Sequence, residues 1–139
     1  YLLDVGLLGA LSEISARTLI DGNRIFTEFK GALTENYVLQ ALLPQFEVVP
    51  RYWAQNNPPY EVDFLIQRGN DIFPVEVKAE SNIGSNSLKK YKELYPEQTK
   101  LRIRFSLNNL KLDGDLLNIP LFMADHTDRL IDIALDKIC

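Results

Sequence analysis

The chain has 139 residues, 46% hydrophobic and 24% charged, with a formal net charge of −4 at pH 7. This length and composition are typical of one globular domain with a sizeable core. The acidic balance argues against a broad nucleic-acid-binding surface, although a local basic patch beside an acidic site remains compatible with it. The single cysteine, Cys139, can form no internal disulfide, and no apolar run has the length of a membrane span. We therefore expect a cytoplasmic protein without membrane contact.

We expect residues 1–24 to be an N-terminal connecting segment, because an apolar stretch at 1–11 is followed by a polar, glycine-containing one. The chain starts with Tyr1, in the middle of an apolar pattern. We therefore interpret residues 1–139 as a single domain that forms the C-terminal part of a larger protein.

A helix is predicted from about Ile25 to Leu43, where Pro44 ends it. The apolar residues that recur at three- and four-residue steps are Phe26, Phe29, Leu33, Tyr37 and Ala41. Glu35 lies on another line of this helix, with small and apolar residues four and seven positions away. Its carboxylate lies either at a solvated helix edge or points inward towards a positive group, and the spacing leaves both open.

The next segments predict a strand over residues 46–53 and a loop over residues 55–59. Tyr52 and Trp53 are large side chains at the end of this strand. We interpret them as core or sheet packing in preference to a base-stacking platform.

Two runs of alternating residues, 61–67 and 71–78, flank a tight glycine-containing turn and predict an antiparallel hairpin. A fold that is symmetric about Gly69 and Asn70 sets the register: residue 66 faces 73, 64 faces 75 and 62 faces 77. One face of the hairpin is then wholly apolar, and a slip by one residue would bury its charges. Pro74 cannot donate to a ladder and requires an unpaired side or a bulge.

The polar face of this hairpin carries the candidate chemistry. Asp63 is expected opposite Glu76, and Glu61 opposite Lys78. Opposed side chains lie about 5 Å apart, where two carboxylates repel by up to about 3 kcal/mol at an effective dielectric near 20. A divalent cation held by both acids, with Lys78 beside them, would compensate for this repulsion. The alternative is a solvated acidic surface with an ordinary Glu61–Lys78 ion pair, and the third carboxylate, Glu35, shifts the balance towards a site.

The second half of the chain predicts a helix that starts at Ser87, with one apolar face and one face of lysines. This basic face could contact a phosphate backbone or be a solvated surface. It comprises Lys89, Lys90 and Lys92. A strand is predicted over residues 101–105, with Lys100, Arg102 and Arg104 outward.

A loop over residues 108–118, a short strand over 119–123 and a final helix complete the pattern. We expect Asp125 or Thr127 to cap that helix and His126 to be a surface or capping residue, not a ligand.

The order of elements and the motifs resemble the PD-(D/E)XK nuclease-like superfamily. More narrowly, the chain resembles an uncharacterised C-terminal domain that follows the ATPase module in many bacterial and archaeal AAA-type ATPases. The segments that carry the resemblance are YLLDVGLL (1–8), ENYV (35–38), YW (52–53), EVDF (61–64), PVEVK (74–78) and the start of the helix at Ser87. No GxxxxGK[ST] loop occurs, so the chain itself should not bind ATP by that route.

The resemblance implies an α/β, restriction-endonuclease-like core with a mixed central sheet of four to five strands flanked by helices. It also implies that Asp63 and Glu76 bind Mg²⁺ (or Mn²⁺), that Glu35 adds a ligand or holds a water, and that Lys78 activates the attack on a phosphodiester of DNA. The implied partners are DNA and an upstream ATPase domain of the same polypeptide, through which the protein would oligomerise. The alternative is a catalytically inactive domain of the same fold that serves DNA or protein binding and assembly. Ala54 and the Pro58–Pro59 pair depart from the family pattern and bear on substrate contacts.

Overall fold

The structure is a computed structural model that describes residues 24–79 and 86–138, with side chains from residue 31 onward. Predictions for the N-terminal segment and for the connection at 80–85 lie outside these residues. The first half contains helix α1 (Arg24–Leu42), a 3₁₀ turn (Leu43–Gln45) and strands β1 (Arg51–Asn56), β2 (Pro59–Arg68) and β3 (Asp71–Val77). The second half contains α2 (Asn86–Leu94), β4 (Arg102–Ser106), β5 (Lys111–Asp113), β6 (Leu116–Pro120), a 3₁₀ helix (Leu121–His126) and α3 (Thr127–Ile138).

The strands form one mixed sheet of the order β1-β2-β3-β4-β6-β5. The β3–β4 and β4–β6 pairs are parallel and the other pairs are antiparallel. Helices α1 and α3 pack their apolar residues on one face of the sheet, and α2 packs on the other. The protein is therefore an α/β domain in three layers. Among the described helices, none has both the length and the apolar character needed to cross a membrane.

The sheet has six strands, more than the four to five expected, and its outer strands differ from the prediction. Pro50 lacks an N–H for a ladder, and β1 begins only after it, at Arg51, so the strand predicted over residues 46–53 forms only from residue 51 onward. The predicted loop at 108–118 contains β5, which turns into β6 at Gly114 with a φ of 61°. That hairpin is short, and the Asp113-Gly114 pair supplies its turn.

Helix α1 forms where the spacing predicts it, but its buried face is different. Tyr37 is 38% exposed, whereas the buried residues are Asn36, Val38, Leu39, Ala41 and Leu42. The line of residues that contains Glu35 is therefore the one that faces the sheet.

The register of the β2–β3 hairpin is confirmed near its turn, where Phe64 pairs with Val75 and Ile66 pairs with Phe73. Gly69 makes the turn with a φ of 58°. The missing N–H of Pro74 is accommodated on the β4 side. Ile72 N–H donates to Gln98 O on that side, while the ladder with β4 starts only at Val75.

The N-terminus of α3 is capped by a distant residue. The N–H of Asp128 donates to Oε1 of Gln45 at 3.0 Å. The hydroxyl of Thr127 instead donates to the carbonyl of Ala124 at 2.7 Å, so it does not act as the predicted cap. The hydrogen bond between Gln45 and Asp128 therefore links the start of α3 to the 3₁₀ turn that follows α1.

Candidate functional site

A bulge in β2 shapes the candidate site. Arg51 of β1 pairs with Leu65 of β2, and Trp53 of β1 pairs with Val62 of β2. Two steps along β1 thus correspond to three steps along β2. The extra residue in β2 reverses the alternation of its side chains. Val62 therefore packs against α2 with Leu88, and not on the face of Phe64 as predicted. Alternation in the sequence cannot reveal a bulge, which explains the error.

Beyond this bulge the strands β2 and β3 separate into a fork. The N–H of Val77 donates to Oδ2 of Asp63 at 2.7 Å, in place of a backbone carbonyl of β2. The next residue, Lys78, donates its N–H to Phe105 O at 2.8 Å and so stays alongside β4. The carboxylate of Asp63 thus fills the opening between the two strands.

The Asp63 carboxyl is strongly perturbed by its surroundings. Its pKa is raised from 3.8 to about 7, mainly by burial and in addition by the neighbouring charges of Glu35 and Glu76. The hydrogen bond from Val77 and the charge of Lys78 oppose the increase. The three predicted acids therefore share one electrostatic environment, although they come from α1, β2 and β3. Such a carboxyl in a cluster of acids is a functional-site candidate.

Glu76 is buried beside two cations and is only partly satisfied. Its side chain is 9% exposed, and Oε1 lies 3.1 Å from Nζ of Lys78. Oε2 lies 4.0 Å from Nε of Arg104, which is too long for a hydrogen bond, and both atoms are buried without a hydrogen-bond partner. Buried polar atoms are normally paired, so an acceptor and a donor left open together indicate space for a polar ligand or a cation.

The predicted Glu61–Lys78 pair does not form. Because of the bulge, Glu61 accepts a hydrogen bond from the hydroxyl of Tyr52 at 2.9 Å, while Lys78 contacts Glu76. The hydrogen bond to Glu61 raises the pKa of the Tyr52 hydroxyl, and the charges of Asp63 and Glu35 act in the same direction. Tyr52 thus belongs to the rim of the acidic cluster.

The two aromatic residues of β1 have different environments. Tyr52 is 61% exposed and does not pack in the core as predicted. Trp53 does pack, edge-to-face on Tyr91 with ring centroids 5.2 Å apart. Successive residues of a strand point to opposite faces, so Trp53 lies on the α2 face while Tyr52 lies on the other, beside Glu61.

The basic residues near α2 are mostly committed to ion pairs. Lys92 Nζ lies 2.6 Å from Asp115, and Lys90 lies 3.7 Å from Glu93. Asp115 also binds Arg102 at 2.7 Å. Neither Arg102 nor Arg104 points freely outward as predicted, since their side chains are 11% and 12% exposed. Two of the three lysines on this face of α2 are thus paired with acids, and the third, Lys89, is exposed.

The donor set fits a divalent cation at two carboxylates. The partly buried Asp63 and the buried Glu76 both offer carboxylate oxygens, and Oε2 of Glu76 lacks a hydrogen-bond partner. Among the described residues, no group of three or more His, Cys, Asp or Glu side chains is arranged closely enough to hold a metal. The charge of Glu35 acts on Asp63, so this third acid lies near the pair. Arg104 and Tyr52 are two neighbours of the acids that the sequence analysis did not assign to the site.

Comparison with known proteins identifies the family. A family model described as a domain of unknown function, DUF4143, matches residues 30–122, which include every predicted site residue. Neither the curated proteins nor the solved structures provide a match. Because the family model covers more than half of the chain, this protein belongs to the DUF4143 family of domains of unknown function.

Proposed function

We propose that this chain is a nuclease-like domain of the PD-(D/E)XK type, which hydrolyses phosphodiester bonds of DNA with Mg²⁺ or Mn²⁺ as the effector of an upstream AAA-type ATPase module. The observation that carries the proposal is the fork between β2 and β3. At this fork Lys78 contacts Glu76, and the charges of Glu76, Lys78 and Glu35 all act on Asp63. An acidic pair beside a lysine at a strand opening is chemistry suited to phosphoryl transfer.

Asp63 and Glu76 would hold the cation. A negative charge on Asp63 is costly because of burial and the nearby charges of Glu35 and Glu76, as its raised pKa indicates. A bound Mg²⁺ or Mn²⁺ would neutralise this charge, polarise the phosphodiester and acidify water. The open Oε2 of Glu76 supports this assignment because it is an acceptor that no protein donor satisfies.

Lys78 and Glu35 would act on the substrate and on water. The side chain of Lys78 is 37% exposed, so its ammonium group is oriented by Glu76 yet accessible to a phosphate oxygen. Its positive charge would stabilise the negative charge that develops on the phosphoryl group. Glu35, from α1, would accept a hydrogen bond from the attacking water and orient it.

Cleavage of DNA by the full chain tests the proposal. Supercoiled plasmid is incubated with the protein and Mg²⁺ or Mn²⁺, and the conversion to open-circular and linear forms is followed on a gel. We expect Lys78→Gln to reduce the rate by about 100-fold, as for the loss of one transition-state donor. Lys137→Gln, at an exposed position on α3, is the matched control and should cleave at the wild-type rate.

An intact plasmid would contradict the hydrolytic function. Under that outcome the alternative, a catalytically inactive nuclease fold used for binding and assembly, would be preferred. Equal loss in Lys78→Gln and Lys137→Gln would also count against the assigned role of Lys78.

A further inference from the structure

A polar row of side chains crosses the sheet away from the fork. Glu76 pairs in register with Arg104 across β3 and β4, Arg104 pairs with Asn118 across β4 and β6, and Asn118 pairs with Lys111 across β6 and β5. These residues lie on the α2 face of the sheet, since Ile103 and Phe105 fill the opposite face. Neighbouring strands are about 4.8 Å apart, so the row extends roughly 14 Å from the candidate site.

A cavity of about 380 Å³ lies over the outer part of this row. Two cations, one acid, three asparagines and two leucines line it: Arg104, Lys111, Asp113, Asn108, Asn109, Asn118, Leu110 and Leu116. Its volume lies within the range of small-molecule sites, which is about 300–1,000 Å³. The cavity is separate from the fork but shares Arg104 with it.

The loop that covers the cavity is held in a fixed shape. Nδ2 of Asn118 donates to the carbonyls of Asn108 and Asn109 at 3.2 and 3.0 Å, and its Oδ1 accepts from the hydroxyl of Ser106 at 2.7 Å. Ser106 Oγ in turn accepts from the N–H of Asn108 at 3.1 Å. Asn118 and Ser106 are thus used for structure, and the side chains of Asn108 and Asn109 are left exposed at the cavity.

Two cations, Arg104 and Lys111, against one acid, Asp113, line the cavity, so its charge balance favours an anion. The Arg104 Nε–H is buried and unsatisfied, and its contact with Glu76 at 4.0 Å is not a hydrogen bond. Lys111 lies at the rim with a side chain that is 71% exposed, and it contacts Asp113, itself 76% exposed, at 3.6 Å. Such an exposed pair is weak, so Lys111 can exchange Asp113 for another anion.

We infer that this cavity binds a nucleotide, with its phosphate between Arg104 and Lys111 and its base against the leucines and asparagines. Arginine and lysine are the usual phosphate ligands, and asparagine amides pair with base edges. The two apolar walls, Leu110 and Leu116, suit the flat face of a base. One part of the inference rests on the proposed function: the bound nucleotide would belong to a DNA strand that runs along the polar row from the cavity to Glu76.

Binding is tested without divalent cation, so that it does not depend on cleavage. The full chain is titrated in EDTA with two probes. Binding of dTMP is measured by calorimetry, and binding of a fluorescein-labelled oligothymidylate of ten nucleotides is measured by fluorescence anisotropy over a range of salt concentrations. We expect Lys111→Ala to weaken binding about fivefold, as for the loss of one exposed charge contact. The slope of log K against log salt for the oligonucleotide should decrease by about 0.7.

Two further variants make the test specific. Asn109→Ala removes an exposed amide at the cavity and should also weaken binding, whereas Arg129→Ala removes an exposed charge on α3 and should not. Binding of dTMP as tight as that of the oligonucleotide would identify a free nucleotide as the ligand, and preference for the oligonucleotide would identify a strand. No binding of either probe, or equal effects of Lys111→Ala and Arg129→Ala, would overturn the inference. A protein that binds normally but does not cleave would refute the proposed hydrolysis alone.

Discussion

Asp63 is the residue in which local structure and chemistry meet most directly. Its carboxylate replaces a backbone acceptor for Val77 and at the same time lies among the charges of Glu35 and Glu76. The hydrogen bond to Val77 therefore requires a largely buried carboxyl group, and burial of its charged form reduces the stability of the fold. A bound cation would remove this cost, so the site is poised for a ligand that stabilises the fold as it binds.

The raised pKa of Asp63 predicts an unusual pH dependence of stability. Between its unfolded pKa near 3.8 and its folded value of about 7, the folded state binds a proton that the unfolded state does not. The free energy of unfolding should therefore fall as pH rises through this window, by up to about 4 kcal/mol. Asp63→Asn, which keeps an oxygen for Val77, should flatten this decline and be more stable than the wild type at pH 8.

Urea unfolding at several pH values between 4 and 8, followed by near-UV circular dichroism, measures this effect. Asp136→Asn, at an exposed position on α3, is the matched control and should retain the wild-type slope. If Asp63→Asn and the wild type lost stability in parallel with rising pH, the buried, protonated state of Asp63 would be refuted.

At the scale of elements, one acidic residue joins α2 to the centre of the sheet. Asp115, just before β6, binds Arg102 of β4 at 2.7 Å and Lys92 of α2 at 2.6 Å. Its carbonyl also accepts from the N–H of Arg102 at 2.8 Å. Helix α2 also buries Leu88 and Tyr91 against Val62, next to the bulge of β2. The ion pairs of Asp115 therefore hold in place the helix that packs against this part of β2.

Removal of this anchor should reduce stability. Burial by itself raises the pKa of Asp115, but the hydrogen bonds from Arg102 and Lys92 outweigh it and lower the pKa to about 2. This carboxylate therefore contributes stability above pH 3.8 that is lost as pH falls towards 2. Asp115→Asn should cost about 1 kcal/mol at pH 7, a value that allows for solvent screening.

Chemical denaturation at pH 7 measures the cost, with Asp113→Asn as the matched control in the same hairpin. Asp113 is 76% exposed and pairs only with an exposed lysine among the described residues, so its loss should be close to neutral. A cost for Asp115→Asn no larger than that for Asp113→Asn would contradict the anchoring role.

At the scale of the whole molecule, the sequence predicts the α/β class, the register at the hairpin turn and the residues of the fork. These features depend on alternation, turn chemistry and helical spacing, which are local. It does not predict the bulge at Asp63 or the exchange of the Glu61–Lys78 pair for Glu61–Tyr52 and Glu76–Lys78. It also misses the contact between Glu76 and Arg104. The bulge and the exchanged pairs depend on how β2 and β3 diverge, and the Glu76–Arg104 contact depends on β4 lying parallel to β3. No local sequence pattern encodes either feature.

The central claim is that Asp63 and Glu76 form a site for a divalent cation, and calorimetric titration with Mn²⁺ at pH 7.5 tests it most directly. The wild type should bind Mn²⁺, and Glu76→Gln and Asp63→Asn should each abolish or strongly weaken binding. Glu47→Gln, at an exposed position before β1, should bind as the wild type does. Absence of Mn²⁺ binding in the wild type, or binding unchanged in Glu76→Gln, would contradict the account.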